Sequence, residues 1–138
     1  MQSWTGYVGT GGYYAWRGNA FEILCLNHVP QIKEALGIRA VETREFAWRS
    51  KTSSPGVQID LLIDRRDGVM NLCEMKCTDQ AYVIDAAYER QLLEKINTFR
   101  EESKTKKAVH LTMITSNGLA HNAYSGNVIN EVTGDDLF

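Results

Sequence analysis

Two apolar stretches, Val57–Asp64 and Val69–Lys76, each alternate with the period of two that a β-strand imposes on its side chains. Only Arg65–Gly68 separates them. Strands so joined form an antiparallel hairpin. In the first, Val57, Ile59, Leu61 and Ile63 share one face, and Gln58, Asp60, Leu62 and Asp64 share the other. In the second, Met70, Leu72, Glu74 and Lys76 share a face. The runs Leu61-Leu62-Ile63 and Leu72-Cys73 are too apolar for a sheet edge and predict central strands covered on both sides. A charge in such a strand costs free energy unless it is paired or holds a metal. Asp60, Glu74 and Lys76 are therefore the candidates for chemistry.

Whether they meet depends on the turn. A two-residue Asp67-Gly68 turn pairs residue 60 with 75 and sends Asp60 and Glu74 to opposite faces. A three-residue loop, Arg66-Asp67-Gly68, pairs 60 with 74 and 58 with 76, and it favours a left-handed residue at its last position, where Gly68 stands. In that register the Cβ atoms of facing residues lie roughly 4.5–5.5 Å apart. Two carboxylates that close raise each other's pKa unless a cation bridges them. Hard oxygen donors suit Mg²⁺ or Mn²⁺, which polarise a phosphoryl oxygen and acidify water. Lys76 would orient that water or stabilise charge developing on the phosphate. On spacing alone the alternative is a solvated strand face with a cross-strand ion pair; the apolar character of both strands favours a site.

The 138 residues, 43% hydrophobic and 23% charged, read as one soluble globular domain. Residues 1–17, rich in Gly, Tyr and Trp, read as an N-terminal arm or linker, with the domain proper at 18–138. The stretch Gly9-Thr10-Gly11-Gly12 lacks the Lys-Ser/Thr ending and preceding strand of a phosphate loop. From Gly18 to Leu36, Phe21, Leu24, Cys25, His28, Ile32 and Leu36 fall on one helical face. Pro30 should kink or split this run, and Gly37 should end it. Ile38–Trp48 reads as a strand and Ser50–Pro55 as a polar loop. Asp85 reads as the N-cap of a helix that buries Tyr88, Leu92, Ile96 and Phe99. Val109–Thr115 reads as a buried strand ended by Ser116-Asn117-Gly118, and Val128–Val132 as a short last strand. The expected class is α/β with an αβββαβ order, a mixed central sheet and flanking helices.

No apolar run reaches the length of a membrane span, and no signal-peptide pattern opens the chain. Three cysteines, an odd number, argue against a secreted disulfide scaffold, so the expected setting is cytoplasmic. Cys25-x-x-His28 with Cys73 and Cys77 is a poor zinc set. Cys73 faces away from Glu74, and Cys25 and His28 belong to the helix stripe. A net charge of -2 counts against a stand-alone nucleic-acid binder. The basic groups Arg44, Arg49, Lys51 and Lys104, Lys106, Lys107 read as solvated surface.

Glu22 in the first helix, the stretch QIDLLIDR around Asp60, and NLCEMK ending at Lys76 resemble the PD-(D/E)XK nuclease superfamily, whose fold is restriction-endonuclease-like. Over nearly the whole chain, AWRGNAFEILCLNHVPQIKEALGI, GVQIDLLIDRRDGVMNLCEMK and the terminal DDLF resemble the C-terminal domain of bacterial and archaeal AAA-type ATPases. The resemblance implies that Asp60, Glu74 and the Met75 backbone carbonyl hold Mg²⁺ or Mn²⁺ and that Lys76 serves catalysis. Glu22 is implied as an accessory acid that binds the metal directly or through water. Ile59 stands where the motif is named for proline. Gln58 is expected opposite Lys76. Gln91 and Lys95 lie one turn apart on the later helix, where relatives place a polar residue. Trp16, Arg17, Trp48 and Arg49 are expected either to contact nucleic acid or to pack in the core or against an ATPase domain. The implied function is metal-dependent hydrolysis of DNA, with an ATPase domain of the same longer chain as partner and a homodimer compatible with it. The rival is a catalytically weak or inactive nucleic-acid-binding or regulatory module.

Overall fold

The computed structural model describes residues 11–52 and 56–138. Helix α1 spans Gly11–Leu26 and α2 spans Val29–Ala35. The split falls where Pro30 sits in the first turn of α2, a position where its missing N–H forfeits no helical bond. Helix α1 starts seven residues earlier than its apolar spacing indicated, so residues 11–17 are helical; residues 1–10 lie outside the described residues. A distant contact accounts for the extension. Arg17 donates to Asp79 at 2.6 Å and to the Cys77 carbonyl at 3.5 Å, tying this turn to the segment after the hairpin.

Gly37, with φ of 73°, ends α2 in a left-handed cap. Its N–H bonds the Glu34 carbonyl at 3.0 Å and the N–H of Ile38 bonds that of Lys33 at 2.9 Å, the paired closure of a Schellman motif. Ile38 is buried by that closure and Val41 N–H turns back to its carbonyl, so strand β1 begins only at Thr43 and runs to Arg49, not from Ile38. Strands β2 (Gln58–Arg65) and β3 (Val69–Lys76) form the expected hairpin. Leu61 faces Cys73, Leu62 faces Leu72, Ile63 faces Asn71 and Asp64 faces Met70. That is the register of the three-residue loop, and Gly68 takes φ of 92° at its end.

Helix α3 (Ala86–Ser103) is capped by the Asp85 carboxylate, which accepts from the Tyr88 N–H at 2.8 Å. Strand β4 (Ala108–Thr115) and β5 (Asn130–Thr133) complete a five-stranded sheet in the order β1-β2-β3-β4-β5. The first three strands are antiparallel, and β3, β4 and β5 are parallel. A 3₁₀ turn, Gly134–Leu137, closes the chain against the sheet.

Each face of the sheet has its own core. Leu92 and Phe99 of α3 pack on Ile59, Leu62, Met70, Leu72, Leu111 and Met113. On the opposite face Phe21, Cys25 and Ile32 pack on Leu61, Ile63, Cys73, Ile114 and Val132. Ile59 and Leu61 therefore do not share a face, contrary to strict alternation through Val57–Asp64. The reason is a bulge: Phe46 pairs with Leu62 and Trp48 with Ile59, leaving Ala47 alone opposite both Asp60 and Leu61.

Candidate active site

Asp60 sits in that bulge, one step beyond the last hairpin pair, Leu61–Cys73, and Glu74 is the matching next residue on β3. The odd-length turn thus brings the two carboxylates to the same level of the sheet. Glu74 is only 8% exposed. Its carboxylate accepts from Lys95 Nζ at 3.0 and 3.2 Å, one contact to each oxygen, and from the Tyr88 hydroxyl at 3.2 Å. Both donors lie on the inner side of α3, two turns apart, so the Asp85 cap that starts this helix also sets the height of Tyr88 against β3.

Glu22 reaches the same point from α1. Burial first, and then the negative charge of Asp60, which stands within hydrogen-bonding reach, and of Glu74, raise its carboxyl above the usual range; Lys95 opposes them. Carboxylates from α1, β2 and β3 thus act on one another at Glu22, with the Lys95 ammonium opposing them.

Asp60 is held from its own strand: Gln58 Nε2 donates to its Oδ1 at 2.8 Å, and Arg49 donates to Gln58 Oε1 at 2.9 Å. Gln58 is thus oriented toward Asp60 and not toward Lys76 as expected, because the bulge ends the β2–β3 ladder before residue 58, which pairs with Arg49 of β1 instead. Lys76, on the Glu74 side of β3, places its ammonium over the Tyr88 ring, 4.8 Å from the centroid, with the Tyr82 centroid 5.9 Å away. The two rings meet edge to face at 5.7 Å. Burial, and after it Glu74, pushes the Tyr88 hydroxyl far above the ordinary phenol range, so it remains a hydrogen-bond donor to Glu74.

Gln91 does not stand among these groups. It lines an open cleft of about 460 Å³ with Gly56, Val57, Gln58, Glu94 and Lys95, next to the carboxylates. Trp48 packs edge to face on Phe99 at 5.2 Å and so belongs to the core, while Arg49 joins the site through Gln58. Arg17 is engaged with Asp79, and Trp16 is exposed on α1. Cys25 and Cys73 are buried, and burial, then Glu22 and Cys77, pushes the Cys25 thiol up to about 12. Tyr82 and Tyr88 are the site residues that sequence reasoning missed. At helical spacing from Leu92, Tyr88 reads as core, and the only cue was its position seven residues before Lys95.

The donor chemistry suits a hard divalent cation: three carboxylates whose repulsion a single ammonium relieves only in part. Among the described residues, no three His, Cys, Asp or Glu side chains stand already gathered as a metal cage. Lys95 holds the Glu74 oxygens instead.

The chain is an α/β domain with a five-stranded mixed sheet flanked by helices. No family model matches it, and no curated protein is significantly similar to it. Among solved structures it is similar to a protein of unknown function, AF1548, with a TM-score of 0.52 and 14% identity, over 79% of this chain and 56% of that one. The likeness concerns the fold alone, and the chain spans little more than half of that protein. No helix among the described residues is long and apolar enough to cross a membrane.

Proposed function

We propose that the domain has the restriction-endonuclease-like fold of the PD-(D/E)XK superfamily and hydrolyses DNA phosphodiester bonds with Mg²⁺ or Mn²⁺. The observation that carries this reading is that Glu22, Asp60 and Glu74 come from three separate elements into one electrostatic neighbourhood: burial first, and then Asp60 and Glu74, raise the Glu22 carboxyl. An antiparallel hairpin joined to a parallel β4, with a helix on either face, supports the fold assignment. Asp60 and Glu74 would hold the cation with the Met75 carbonyl, and Glu22 would join directly or through water. When bound, the metal supplies Lewis-acid polarisation of the phosphate and acidifies water. Lys76 would stabilise charge on the phosphate, Gln58 keeps Asp60 oriented, and Gln91 and Lys95, which line the adjacent cleft, would flank the bound backbone. The cytoplasmic setting and attachment to an AAA-type ATPase domain belong to the same proposal.

One feature favours the rival, a catalytically silent nucleic-acid-binding or regulatory module: Lys95 already neutralises Glu74. The two readings part on metal and cleavage. Under the nuclease reading, Mn²⁺ raises the melting temperature of the wild type and Asp60→Ala abolishes the rise. Linear, branched or single-stranded DNA is cut only with metal, and Lys76→Ala loses the cutting. A wild type indifferent to Mn²⁺ and Mg²⁺ selects the silent module, and undiminished cleavage by Lys76→Ala places the activity elsewhere.

A further inference from the structure

Two lysines compete for one carboxylate here, and the nearer in sequence does not win. Lys76 is two residues from Glu74 on the same strand, so the period-two geometry of β3 directs both side chains to one side. Yet the ammonium that binds Glu74 comes from Lys95 on α3, with one contact to each oxygen at 3.0 and 3.2 Å. Lys76 lies over Tyr88 instead, at 4.8 Å, with the Tyr82 ring flanking it. Tyr88 touches both partners: its ring faces Lys76 and its hydroxyl donates to Glu74 at 3.2 Å. The two tyrosines brace each other edge to face, and the Asp85 cap fixes the turn that carries Tyr88.

We propose that Tyr88 is a positioning residue that sorts the two lysines. It keeps Lys76 off Glu74, so that Lys95 alone stands as the exchangeable counter-ion that an incoming divalent cation displaces. This rests on the metal-site reading above. The sorting matters because an ammonium bound to Glu74 excludes a metal from the same oxygens. A lysine needed at the phosphate must therefore be kept from pairing with the carboxylate two residues away. Lys95 is suited to leave, since it lines the open cleft beside Gln58 and Gln91 and can turn its charge toward a phosphate there.

The experiment is a calorimetric Mn²⁺ titration of the whole chain without DNA. Lys95→Met and Lys76→Met each remove one positive charge, so their difference cancels the general electrostatic effect. Lys95→Met should bind Mn²⁺ about fivefold more tightly than wild type, the fold-change that one partly exposed ion pair supports. Lys76→Met should tighten binding by no more than about twofold, the long-range effect of a lost charge. Tyr88→Phe keeps the ring and should stay within about twofold of wild type. Tyr88→Leu frees Lys76 to take Glu74 and should weaken binding about threefold, in keeping with the lower range of a cation–π contact. Adding Lys76→Met to Tyr88→Leu should restore affinity, a rescue that mere structural damage would not permit. Equal tightening by the two lysine variants, or no rescue in the double variant, overturns the sorting role while leaving the metal site in place. A wild type that takes up no Mn²⁺ overturns both.

Discussion

The carboxylate cluster predicts that the metal-free protein gains stability when one of its acids is neutralised. Glu22→Gln is the informative change, because it keeps the shape, removes the charge and gives Asp60 a donor. In the folded state Glu22 is raised above its ordinary 4.5 by burial and then by Asp60 and Glu74. The folded chain therefore holds more protons than the unfolded one from 4.5 upward to the raised value. Stability falls as pH rises through that window, and above it the ionised group is a standing penalty. A like-charge pair about 4 Å apart repels by about 4 kcal/mol at an effective dielectric of 20. Solvent screening at a half-buried position reduces this to about 1 kcal/mol, or about 3 °C in Tm for a chain of this size. Scanning calorimetry in EDTA should show the variant melting higher at pH 7.5, with the gap closing as pH is lowered to 4. Saturating Mn²⁺ should reverse the order, because the wild type alone offers the cation a negatively charged oxygen at position 22. A variant that melts lower than wild type in EDTA, or a gap independent of pH, would refute the clustered-charge argument.

Asp85→Ala removes the cap that accepts from the Tyr88 N–H and should cost about 1 kcal/mol in urea unfolding. Gly68→Ala places a Cβ at φ of 92° and should lower the urea midpoint by the equivalent of 1–2 kcal/mol, roughly, with an unchanged slope. Lys107→Met should destabilise the protein at pH 7. Lys107 and, after it, Arg44 hold the Asp64 carboxyl below its ordinary 3.8, a stabilisation present above that value and lost as pH falls through the depressed one. The deficit of the variant in thermal melts should accordingly disappear in strong acid, and a deficit that persists there would show that Lys107 acts through packing instead.

The hairpin was legible because everything that defines it is local: the alternation of two strands, an odd loop and a glycine able to take positive φ. Pro30 and Gly37 likewise marked the breaks between α1, α2 and β1 from within a few residues. What escaped was set by contacts across the chain. Helix α1 begins at Gly11 in a stretch rich in glycine and aromatics, where Arg17 is fastened to Asp79, 62 residues away. Strand β1 starts late because Ile38 is drawn into the cap of α2. Gln58 turned to Asp60 because its strand partner is Arg49, a pairing no local pattern records. Tyr88 was hidden by its own spacing, since an aromatic on a helix stripe has core packing as its commonest role. Lys95, singled out through family resemblance, does stand on Glu74.

The bulge opposite Ala47 divides β2 into two half-strands of opposite phase. Downstream of it, Leu61 to Arg65 answer to the hairpin and its turn; upstream, Gln58 to Asp60 answer to β1 and the carboxylates. The turn thus sets the level at which Asp60 meets Glu74, and the slip sets the side to which Asp60 is turned; removing one residue at 60 or 61 would mend the ladder and dismantle the site.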